Sequence, residues 1–148
     1  MTQEDKELLL KDLCARLPYG VCYKHFTWDD ERGEECIAVK IYSINSDGYV
    51  KNCYDDETVY IDNVHPYLFP MSSMTDDQCC DFYCRFVENE IDYNDFKKYY
   101  FDSCSWNKVL TLISDCGDVI NWFIKNHFDY RGLIEKGLAI DATGLNIY

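Results

Sequence analysis

Downstream of Gly20 the apolar residues change period from 3.6 to 2, and this switch constrains the fold more than any other feature of the sequence. A pattern written for a helix buries nothing useful as a strand, and the reverse also holds. Val21 to Trp28 is rich in aromatic and β-branched residues. Cys36 to Ile44 alternates, with Ile37, Val39 and Ile41 on one face. Tyr49 to Tyr54 and Thr58 to Ile61 read as two more short strands. Polar turns separate them: Asp29 to Gly33, Asn45-Ser46-Asp47-Gly48, and Asp55-Asp56-Glu57. Connections this short force antiparallel neighbours, because a parallel pair needs a crossover of about a dozen residues or more. A four-stranded antiparallel meander is therefore expected.

Helical signals flank the meander. Thr2 with Asp5 forms a capping-box pattern before a helix over residues 2–17. Leu10, Leu13, Cys14 and Leu17 form its apolar stripe, with Glu4, Lys11 and Asp12 on the surface. Pro18-Tyr19-Gly20 ends it. Val64 to Pro70 reads as an extended apolar connector, held out of regular structure by Pro66 and Pro70. Thr75 with Gln78 caps a second helix, which buries Cys79, Phe82, Tyr83 and Phe86. Residues 91–113 stay ambiguous: Phe96, Tyr99 and Tyr100 suit a helix, and Val109 to Ile113 suits helix or strand. A last helix over about 118–127 carries Val119, Ile120, Phe123 and Ile124 as its stripe. The tail, Phe128 to Tyr148, is expected to wrap back over the body. The fold class is α+β, as a single domain over 1–148.

Composition closes off several classes of function. A chain of 148 residues is as long as one ordinary domain. With 47% hydrophobic and 28% charged residues it is globular rather than disordered. Its formal net charge of −13 repels phosphate backbones and anionic lipid. No direct nucleic-acid or membrane binding is expected, whereas a protein partner is compatible. No segment reaches the roughly 20 apolar residues that span a bilayer. Met1 to Lys6 lacks a basic region, and Leu8-Leu9-Leu10 runs straight into Lys11 and Asp12, so no signal peptide is read. Nine cysteines cannot all pair within one chain, and the expectation is a reducing cytoplasm with most thiols in the core.

Three blocks carry a family resemblance: Leu8 to Val21 (LLLKDLCARLPYGV), Pro66 to Thr75 (PYLFPMSSMT) and Phe128 to Ala139 (FDYRGLIEKGLA). Together they cover about a quarter of the chain. In that order they resemble a family of small uncharacterised proteins of Bacteroides-type gut bacteria and their phages or prophages. Cys22 to His65 and Gln78 to Asn126 add nothing to the resemblance. It implies an origin, including a mobile element, and carries over no catalytic residue.

Four constellations carry chemistry in principle. Cys79, Cys80 and Cys84 cluster, but a structural zinc takes four ligands, usually as two close pairs. No Cys-x-x-Cys is present, and Cys53, His65 or Cys104 would have to come from afar. Cys22 and His25 point to opposite faces of a strand, so only Cys36 or Cys53 would meet His25 across the sheet. The eight acids within Asp29 to Glu35 and Asp55 to Glu57 fall in turns, where solvated loops are the default. Arg131 reads as a tie from tail to body through a carboxylate; the alternative is an exposed Tyr130–Arg131 interaction anchor. No catalytic, cofactor-binding or metal-binding residue follows. The expected function is a non-enzymatic accessory protein acting by protein–protein contact. An acidic nucleic-acid mimic that inhibits a DNA-binding protein comes second, and a Cys- or metal-dependent enzyme third.

Overall fold

The computed structural model describes residues 1–29, 33–54, 57–87, 91–101 and 116–148. They gather into two units, Met1–Leu68 with Arg131–Tyr148, and Phe69–Tyr130.

In the first unit, helix α1 (Gln3–Arg16) begins on the capping box that Thr2 and Asp5 announce. The Thr2 hydroxyl accepts from the Asp5 amide at 3.1 Å, and the Asp5 carboxylate accepts from the Thr2 amide at 3.3 Å. A 3₁₀ turn over Leu17–Tyr19 follows, with Pro18 in its first turn, and Gly20 closes it at φ +78°. An alanine there would be strained in backbone and would also strike the Lys40 side chain, whose Cε lies 2.5 Å from where its Cβ would sit.

The buried face of α1 differs from the expected stripe. Leu9, Asp12, Leu13 and Arg16 are buried, whereas Cys14 is exposed and Leu10 and Leu17 are half-buried. Asp12, expected on the surface, is fully enclosed. The reason is the pairing of Asp12 with Arg16 one turn later, at 2.6 Å. A carboxylate and a guanidinium that satisfy each other can enter the interior, and a count of apolar positions misses them.

The meander forms as the sequence requires: β1 (Cys22–Asp29), β2 (Gly33–Ile44), β3 (Tyr49–Asn52) and β4 (Thr58–Tyr60), all antiparallel in the order β1-β2-β3-β4. The turn into β3 is an Asx turn, in which Asn45 Oδ1 accepts from the amides of Asp47 and Tyr49. One sheet face, carrying Val39, Ile41 and Val50, packs into a core with Leu9 and Leu13 of α1 and with Ile61, Leu133 and Leu138.

Two prolines do not keep Val64 to Pro70 out of regular structure. Tyr67–Leu68 forms a short strand, β5, paired in parallel with β6 (Ile140–Asp141) from the tail. Pro66 lends its carbonyl to the Ile140 amide at 2.8 Å, and Leu68 accepts from Ala142 at 2.8 Å. Proline lacks only the donor, so it is compatible with a strand end where its carbonyl is the group in demand.

In the second unit, α2 (Asp76–Phe86) starts on the Thr75–Gln78 capping box. A short α3 (Tyr93–Phe96) is capped by Asp92 and runs into a π-helical turn over Lys97–Phe101. Helix α4 (Cys116–Lys125) buries Val119, Trp122, Phe123 and Ile124. Phe69 and Phe128 are bridged through main-chain bonds to His127 and Asp129. The core is aromatic and centres on Phe82, with Cys79, Phe96, Trp122 and Phe123 around it. Val109 to Ile113 and Cys104 lie outside the described residues.

Candidate interaction surface

Strand alternation sends Tyr23 and His25 of β1 inward, where both are buried. The Tyr23 hydroxyl lies 3.3 Å from His25 Nδ1 and accepts from the Asn52 side-chain amide at 3.1 Å. Asn52 Oδ1 accepts in turn from the Tyr54 amide at 2.8 Å. This polar chain ties β1 to β3 across the sheet and is a means of holding strand register.

The same alternation sends Cys22, Lys24, Phe26 and Trp28 outward, opposite Lys40, Ala38, Cys36 and Glu34 of β2. Phe26 is 56% exposed, Trp28 74%, and Tyr42, further along β2, 70%. The residues between them are small or basic. The Lys24 ammonium sits 4.8 Å from the centre of the Phe26 ring, a cation–π contact that leaves the ring edge open. Neither Lys24 nor Lys40 forms an ion pair among the described residues. The result is a sheet face that carries exposed aromatic rings, with Lys24 and Lys40 toward one end and Glu34 beside Trp28 at the other.

The residues singled out from sequence fall elsewhere. Cys22 and Cys36 lie on the face opposite to His25, so the sheet separates these thiols from the imidazole. Burial pushes the Cys22 thiol up, with the Lys40 charge partly opposing it. Cys79 is buried, and burial raises its thiol to about 11, while Cys80 and Cys84 are exposed. No group of three or more His, Cys, Asp or Glu gathers where it could hold a metal ion, among the described residues. Alkylation by iodoacetamide at pH 8 is therefore expected to modify Cys80 and spare Cys79 until the protein unfolds. Peptide mass spectrometry checks this, and equal rates at the two positions would contradict the burial of Cys79.

Arg131 donates from Nε to Asp12 Oδ1 at 3.1 Å, with its side chain 20% exposed, and so ties the tail to α1. The Tyr130 ring stacks on Phe123, 6.1 Å between centres. Both residues of the alternative Tyr130–Arg131 anchor are thus engaged within their own units. Phe26, Trp28 and Tyr42 went unnoticed from sequence. Period 2 groups Phe26 with Trp28 on one side of β1, but which side is covered depends on residues remote in sequence.

The chain matches no family model, no curated protein and no solved structure. No helix among the described residues is long and apolar enough to cross a membrane.

Proposed function

We propose that this chain is a non-enzymatic accessory protein of the cytoplasm that binds a protein partner through the outer face of β1 and β2. The observation that carries the reading is the exposure of Phe26 and Trp28, neighbours on that one face, 56% and 74%. Aromatic surface left in water forgoes about 25 cal/mol per Å² that burial would supply. Aromatic clusters exposed together mark interaction sites more than scattered single residues do. Trp and Tyr are also the side chains that most often dominate interface energetics. The resemblance to proteins of Bacteroides-type bacteria and their phages supplies the setting, a bacterial cell in which a mobile element is one source of the gene. Nine cysteines suit its reducing interior.

The test is capture from a lysate of a Bacteroides-type host, comparing the native chain with a Phe26→Ser/Trp28→Ser variant. The expected result is a protein retained by the native chain and depleted about tenfold or more by the variant, which keeps the native circular dichroism. Equal recovery by both would remove the outer face as the binding surface. Recovery of nucleic acid instead of protein would overturn the reading.

A further inference from the structure

The outer face of β1 and β2 is laid out about one middle row, in which Phe26 stands beside Cys36. Two residues toward the start of β1 comes the row of Lys24 and Ala38, a cation beside a small side chain. Two residues the other way comes the row of Trp28 and Glu34, a large ring beside an anion. Phe26, Trp28, Glu34, Cys36 and Ala38 are all exposed, and Lys24 is half-buried. The two outer rows lie about 13 Å apart along the strands. Neither Lys24 nor Glu34 forms an ion pair among the described residues.

Such a face is complementary to itself. A half-turn about an axis that crosses the strands at the Phe26–Cys36 row lays that row on its own copy, and lays the Trp28–Glu34 row on the Lys24–Ala38 row. Glu34 then meets the Lys24 ammonium of the other copy, the Trp28 ring meets the same cation, and the bulk of the indole falls toward the space that Ala38 leaves. The symmetry makes each of these contacts twice. A half-turn about an axis along the strands would instead set Lys24 on Lys24 and Glu34 on Glu34, so charge also fixes the orientation. The net charge of −13 opposes the approach of two copies, but at physiological salt a charge is felt over only about 8 Å, so the groups that face each other decide.

On the reading that the outer face is the binding surface, we infer that its occupant is a second copy of this chain, stacked face to face with its strands antiparallel about the Phe26–Cys36 row. Each copy carries both signs of charge at matched distances from the axis, and both a large and a small side chain to interlock. The patch is smaller than the roughly 20–30 residues a side of a standard interface, so the dimer is a weak one, with a Kd of about 10–100 μM.

Sedimentation equilibrium of the full chain up to about 200 μM should show a monomer–dimer equilibrium, and Phe26→Ser/Trp28→Ser should stay monomeric. Lys24→Glu and Glu34→Lys each set like charges across the axis, and each should weaken dimerisation about tenfold or more while circular dichroism stays native. Mixed in equal amounts, the two variants should associate again, because the carboxylates of one then face the ammonium groups of the other. A dimer built on any other surface does not recover in this way. A short bismaleimide should join Cys36 to Cys36, the exposed thiols nearest the axis, as read by peptide mass spectrometry. A native chain that stays monomeric over this range overturns the inference, as does a mixture that fails to recover or a dimer indifferent to all three variants. If the native chain is monomeric while lysate capture still depends on Phe26 and Trp28, the binding surface stands and only the second copy fails as its occupant.

Discussion

Replacing Asp12 by alanine is expected to lower the stability of the first unit by about 3–5 kcal/mol. One carboxylate, fully enclosed, holds two guanidinium groups: Arg16 at 2.6 Å from the same helix and Arg131 at 3.1 Å from the tail. Arg16 is itself completely buried. Removing Asp12 takes away the carboxylate that faces this enclosed guanidinium at 2.6 Å. The loss should exceed that from Arg131→Ala, because the Arg131 side chain keeps 20% of its surface in water and is partly solvated already. Asp12→Leu/Arg16→Met should recover most of the loss, since an apolar pair of similar volume carries no desolvation cost. Urea unfolding followed by circular dichroism separates the three variants. For a chain of this length, 1 kcal/mol corresponds to roughly 2–4 °C in melting temperature, so Asp12→Ala should shift it by about 10 °C. A shift no larger than that of Arg131→Ala would mean that water reaches Arg16 and the pair is not enclosed.

This ion cluster also shows where the sequence stops being legible. The caps at Thr2 and Thr75 were readable because each is settled by a residue three positions away. The meander was readable for the same reason, since its turns and alternation are local. Arg131 lies 119 residues from Asp12, and no local pattern reports that a helix will bury a carboxylate to receive it. The pairing of Tyr67–Leu68 with Ile140–Asp141 is equally remote, and Pro66 is compatible with it because its carbonyl, not an amide, is the group in use. The aromatic face of β1 lies between these cases. Period 2 tells which residues share a side, but which side the helix and tail cover is a tertiary fact. Thus the apolar character of Phe26 and Trp28 was visible and their exposure was not.

Replacing Phe82 by alanine should cost the second unit about 3–5 kcal/mol. Phe82 has no exposed surface, and its ring meets four others: Phe86 at 5.1 Å, Trp122 at 5.3 Å, Phe123 at 5.4 Å and Phe96 at 6.2 Å between centres. Those partners come from α2, α3 and α4, so the ring is the point through which three short helices share a core. None of the three is long enough to persist alone in water, where helices under about 12–15 residues are marginal. Loss of the ring removes its transfer energy and opens a cavity that three helices would have to move together to close. Phe82→Leu keeps most of the volume and should cost less than half as much. Cys79, one turn earlier on α2 and equally enclosed, reports the outcome independently of any melting curve. In Phe82→Ala its alkylation at pH 8 should rise well above the native rate, while in Phe82→Leu it should stay close to native. If Cys79 remains protected in Phe82→Ala and the urea midpoint is unmoved, the aromatic cluster is not what holds α2 against α3 and α4.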